Sequence, residues 1–160
     1  RKGAIPARPE FSPRVFAPLL RHIVLLDFST GRSPWSNIRV VGEGVRERVQ
    51  SDIRSHDYLE FLAPAHHADA LRTIELMFDQ TCGLWQVMAA HYQRGFSQYL
   101  ELTAFPFAKD DDPPQLLVHL MPISEYITPM PPGLSVMSMD SAVTFEFIDL
   151  GAGVPVWPST

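Results

Sequence analysis

Cysteine is almost missing from this chain of 160 residues: Cys82 stands alone, which excludes an internal disulfide and a thiolate metal cluster built from one copy. A single thiol suits a reducing compartment, and the expected location is the cytoplasm. Long apolar runs are missing too. The richest stretch, around Ile23 to Leu26, falls far short of the roughly 20 residues that span a bilayer, so no membrane partner is expected. A basic excess is also lacking. The formal net charge is -5, and the 13 Lys and Arg are scattered, so no positive field is available to hold a phosphate backbone and nucleic acid is not an expected partner. GxSxG, GxxxxGK[ST] and GxGxxG are all missing. With them go the nucleophile elbow, the phosphate-cradling loop and the dinucleotide fingerprint.

What is present fits one folded domain of α+β class. Hydrophobic residues make up 46% and charged residues 19%, enough apolar surface to offset the entropy of ordering a chain of this size. Pro6, Pro9 and Pro13 deny backbone donors and make residues 1–11 an arm. Ser12 before Pro13 reads as the cap of an N-terminal helix, with Val15, Phe16, Leu19 and Leu20 on one face. HIVLLDF reads as a central strand, and WSNIRVVG, after a turn cluster at 29–34, as its hairpin partner. Gly42 and Gly44 then turn the chain away from the sheet, a use that rests on glycine's tolerance of positive φ. GVRERVQSDI predicts a short helix with Val45, Val49 and Ile53 inward, and HDYLEFLAP is irregular or a single turn.

A clearer helix runs from Pro64 to about Thr81, where Leu71, Ile74 and Phe78 share one stripe and Gly83 supplies the stop. LWQVMAAHYQ and SQYLELTAFPF form a hairpin around Arg94 and Gly95, with Leu100, Leu102 and Ala104 on one face. After the acidic turn at 110–114, QLLVHLMPI is a fifth strand. A proline-rich linker then leads to the strand-like TFEFIDL, so residues 124–160 read as a C-terminal extension with room for one added strand.

Two strands, a helical middle and three further strands is the element order of PAS domains. The segments LLRHIVLLDF, IRVVGEGV, YLEFL, and YLELTAFPF followed by QLLVHLMPI make residues 12–123 resemble the PAS-type family of small alphaproteobacterial proteins. The resemblance implies a five-stranded antiparallel sheet with helices on one face, preceded here by the N-terminal helix. It also implies a sensory or protein-interaction module, often dimeric. The expected partners are a second copy, through the N-terminal helix and a sheet face, a signalling protein, and a small-molecule ligand.

Chemistry-bearing residues read mostly as structural. Cys82 in QTCGLW lacks the Asn-Cys-Arg-Phe setting of a flavin-reactive thiol. His56 with Asp57, and His66 and His67 with Asp69, suggest metal ligands, but adjacent helical histidines diverge by about 100° and a solvated helix start accounts for them. Glu43 and Glu47 beside Arg46 and Arg48 read as a wet helix surface. Aromatic residues Tyr58, Phe61, Phe78 and Trp85, with Leu102 and His119, are the candidate ligand-binding wall, and an ordinary core is the competing reading of the same residues. No cofactor is named by these residues and no catalysis is expected. Two alternatives stay open: a small enzyme with His119 as base in a pocket, and a ligand-free adaptor.

Overall fold

The computed structural model describes residues 4–10, 12–29, 35–108, 113–123 and 133–156. It is α+β: one six-stranded antiparallel sheet with two α-helices. Strands β1 (Ile23–Ser29), β2 (Trp35–Val41), β3 (Gly83–Tyr92), β4 (Ser97–Phe107), β5 (Gln115–Pro122) and β6 (Val136–Ile148) are ordered β2-β1-β5-β4-β3-β6. Helices α1 (Glu43–Val49) and α2 (His67–Gln80) lie between β2 and β3 in the chain. The turn clusters at 30–34 and 109–112 and most of the proline-rich linker, 124–132, lie outside the described residues.

The hydrophobic runs HIVLLDF and QLLVHLMPI become neighbouring inner strands because each is apolar enough to be flanked on both edges. Their pairing, Val24 opposite Val118 and Leu26 opposite Leu116, puts branched side chains on the helix-covered face. The hairpin around Arg94 and Gly95 forms as expected, with both residues in the left-handed region (φ 60° and 73°) and Leu84 to His91 paired with Ala104 to Ser97. Two-period alternation makes Leu100, Leu102 and Ala104 buried and Glu101 exposed.

Two features of the expected fold are corrected. The sheet has six strands, because the tail forms β6 and pairs antiparallel with β3 from Gly83 opposite Ile148 to Tyr92 opposite Val136. Its register shifts three times, and those irregularities blur the alternation that would have marked the full strand in sequence. The N-terminal helix is replaced by tight turns ending in a 3-10 turn at Leu20–His22. Pro18 has no amide to donate back to Arg14, and most of the bonds that form, such as Leu19 to Phe16 and His22 to Leu19, span three residues, with Leu20 to Phe16 the single helical-type bond among those of the described residues. Of the face it would have carried, Val15 is 74% exposed and Phe16 is half-buried.

Glycine roles also differ from the expectation. Gly42 has φ -66° and Gly44 lies inside α1, so neither needs a positive φ. What they supply is room: a Cβ on Gly42 would stand 2.3 Å from the Leu20 carbonyl oxygen, and one on Gly44 2.8 Å from the His22 ring. Likewise α2 is closed by Thr81 in the left-handed region (φ 51°), while Gly83 opens β3 where a Cβ would stand 2.7 Å from the Phe105 ring. Helix α1 ends earlier than expected, at Gln50 (φ 51°), so Ile53 is buried from an irregular segment rather than from the helix.

Candidate functional site

Between the helices and the sheet lies a cavity of about 310 Å³, at the small end of the range for ligand sites. Sheet alternation supplies its floor through Leu100 and Leu102 of β4 and Val118 and Leu120 of β5. Val45, Val49, Ile74 and Met77 supply the roof from the two helices. The space persists because several lining positions are small, notably Ala70, Ala104 and Ala142. Asp69, Asp140, Ser141 and Phe145 line it while remaining exposed, so the cavity meets solvent between the start of α2 and β6.

Among the described residues, Arg48 is the one arginine or lysine in this lining. Its Nε donates to the Gly44 carbonyl at 2.9 Å, and its Nη2 donates to the Leu120 carbonyl at 3.2 Å and to His22 Nδ1 at 2.8 Å. Nη1 is buried and without a hydrogen-bond partner. No carboxylate among the described residues forms an ion pair with Arg48; neighbouring Glu47 is engaged by Arg21 at 3.0 Å on the surface. Burial works against the charge of Arg48, opposed by Tyr92 and Glu47, but a guanidinium stays protonated in proteins. His22 is pulled below the ordinary histidine value, first by burial and then by Arg48 and His119. A neutral ring is what its contact demands, since Nδ1 must accept the Arg48 proton.

Tyr58, Phe61 and Leu102, three of the expected ligand-binding residues, line the cavity. Burial pushes the Tyr58 hydroxyl up to about 12, so it is a neutral donor at physiological pH. The other three lie elsewhere. Phe78 is packed in the core, its ring parallel to Phe28 with centroids 6.2 Å apart. Trp85 is not among the lining residues, and its Nε1 donates to Glu101 at 2.7 Å. His119 alternates with the lining residues Val118 and Leu120, which turns it to the opposite face, edge-on to His22 at 6.1 Å. A pocket base at His119 therefore has no access to the cavity.

Sequence reasoning missed Arg48 by assigning it to a wet surface with Glu43, Arg46 and Glu47. Glu43 and Arg46 do form an exposed pair at 2.8 Å. Arg48, however, stands three residues after Val45 and one before Val49, both buried, and that spacing was the available signal. A second grouping that sequence could not show joins three strands: His91 Nδ1 contacts Ser97 Oγ at 2.8 Å and Nε2 contacts Asp140 at 2.9 Å. All three are solvent-accessible on a sheet whose amides serve the ladders. His56 is held by Glu60 at 2.9 Å and His67 by the Leu62 carbonyl at 3.0 Å. Among the described residues no three His, Cys, Asp or Glu side chains cluster as a metal site, and no helix is long and apolar enough to cross a membrane. No known family model matches the chain, and no curated protein matches it.

Proposed function

We propose that the chain is a PAS-like sensory or protein-interaction module that takes a small apolar ligand into the cavity beneath α1 and α2. The observation that carries this reading is the cavity itself: about 310 Å³ of mostly apolar space, enclosed by secondary structure and open at one side. Cores close-pack wherever nothing else fills them, so a space of this size with small residues in its wall favours an occupant over a ligand-free adaptor. The order of two strands, a helical middle and three strands supports the PAS likeness. Occupancy shifts the population of docking states, and the signal leaves through contact with a signalling protein or a second copy. With the N-terminal segment in turns, the homodimer of this proposal uses the uncovered sheet face. Its location is the cytoplasm, which suits a lone buried Cys82.

The test is amide and methyl chemical-shift mapping with apolar fragments of one and two rings. Shifts at Ile74, Met88 and Leu102 that disappear in Ala104→Phe, a substitution that fills the cavity, support the reading. Saturating fragments that move none of these residues sink it. Light scattering during size exclusion addresses the dimer, which a concentration-independent monomer removes.

A further inference from the structure

From Arg48 we infer that the ligand is a monocarboxylate with an apolar body, its acid group held by the half-buried guanidinium. This rests on the ligand-binding reading above. A guanidinium carries five donors in a fixed fork. Here the backbone and His22 take up Nε and Nη2 and leave Nη1 buried and unpaired beside a mostly apolar wall. Buried charges in proteins are paired, and the partner supplied by this chain is a neutral imidazole rather than a carboxylate. An anion from outside supplies the missing charge and acceptors.

Shape and charge narrow the class. The cavity of about 310 Å³ is about twice the size of one that admits benzene, at roughly 150 Å³, which leaves space for an aryl or medium-chain alkyl body. The exposed rim carries the carboxylates Asp69 and Asp140. Like charge there disfavours dianions and phosphate esters relative to a single carboxylate buried past the rim. Tyr92 lines the same cavity and lies within electrostatic reach of Arg48, and its burial-raised hydroxyl is a neutral group able to donate to the same acid.

Calorimetric titration of the full chain with 4-phenylbutyrate and decanoate, against 4-phenylbutanol and decan-1-ol, separates the possibilities. The acids are expected to bind about tenfold tighter or more, the scale of one charge-assisted hydrogen-bonded contact. In Arg48→Met that preference falls to about twofold or less while the alcohols still bind. Arg48→Lys, which keeps the charge without the fork, is the second variant should Met not fold. The Arg48 Nε–Hε resonance of wild type, expected to shift with acid and not with alcohol, locates the contact without any substitution. Equal binding of acids and alcohols overturns this inference and leaves the cavity reading standing. An acid preference that survives both substitutions overturns it as well, by placing the anion elsewhere. If neither series binds up to about 5 mM, near the weak limit of useful affinity, the cavity reading falls and this inference with it.

Discussion

Replacing Gly42 by alanine adds one methyl group and gives a sharp test of how the β2–α1 junction is built. The new Cβ would lie 2.3 Å from the Leu20 carbonyl oxygen and 2.6 Å from that of Arg21, with the Arg21 carbonyl carbon at 2.7 Å. A comfortable carbon–oxygen approach is about 3.3 Å, so the deficit is about 1 Å against one backbone atom and about 0.7 Å against another. Side chains can rotate out of the way; these atoms cannot. The His22 amide bonds to the Leu19 carbonyl at 2.8 Å, and the Gly42 amide donates to Ile23 at 2.8 Å. The Gly42 carbonyl also accepts the first bonds of α1, from Val45 at 3.1 Å and Arg46 at 3.0 Å. Moving Gly42 away therefore gives up a backbone hydrogen bond, about 1 kcal/mol, on top of overpacking that typically costs about 1–3 kcal/mol. The expected loss is about 2–4 kcal/mol. With an m-value of about 2 kcal/mol/M, the urea midpoint drops by about 1–2 M. Gly95→Ala is the matched control: it has open space around it but φ +73°, so its cost of about 1 kcal/mol comes from conformation alone. A Gly42→Ala midpoint within about 0.3 M of wild type at unchanged m, or a larger loss for Gly95→Ala, would show that the junction is not held by close approach.

Three further outcomes are expected. Phe78→Ala removes a buried ring stacked on Phe28 and costs about 3–5 kcal/mol in denaturant unfolding, whereas Val15→Ser, at a position 74% exposed, changes stability by less than about 0.5 kcal/mol. Cys82 is buried and its thiol is pushed above the ordinary value by that burial, so a thiol reagent at mildly alkaline pH titrates it only after unfolding; rapid native reaction would mean that the end of α2 opens. His22 and His119 both have pKa values lowered in the fold, chiefly by burial, so the unfolded chain binds more protons below its own histidine value of about 6.5. The stabilisation is complete above that pH and is lost as pH falls through the window toward the folded values. A His22→Asn, His119→Gln double variant should lose less stability than wild type between neutral and mildly acidic pH, and equal losses would assign the pH dependence to the carboxylates.

Local pattern was enough wherever a segment's own period matched its final setting. Apolar runs gave β1 and β5, strict alternation gave β4, the Arg94–Gly95 turn gave the β3–β4 hairpin, and a three-and-four stripe gave α2. Among the candidate residues, Tyr58, Phe61 and Leu102 were found this way and do line the cavity. Phe78, Trp85 and His119 were not separable from them, because apolar and aromatic character marks burial without saying on which side of a sheet or how deep.

The amino-acid sequence by itself determined the α+β class, the helical middle between two groups of strands, and the exclusion of a disulfide within these 160 residues. These follow from composition and short-range periodicity, which act within a few residues. Only the tertiary structure decided the rest. It opened the N-terminal turn, where Pro18 defeats a plausible helical face. It recruited β6 to the bare edge of β3, a pairing between residues more than 40 positions apart that no local pattern specifies. It also turned Arg48 from an apparent surface charge into a half-buried cation lining a mostly apolar cavity, because which side of α1 faces the sheet is fixed by Val45 and Val49 packing inward, and Arg48 is carried in with them.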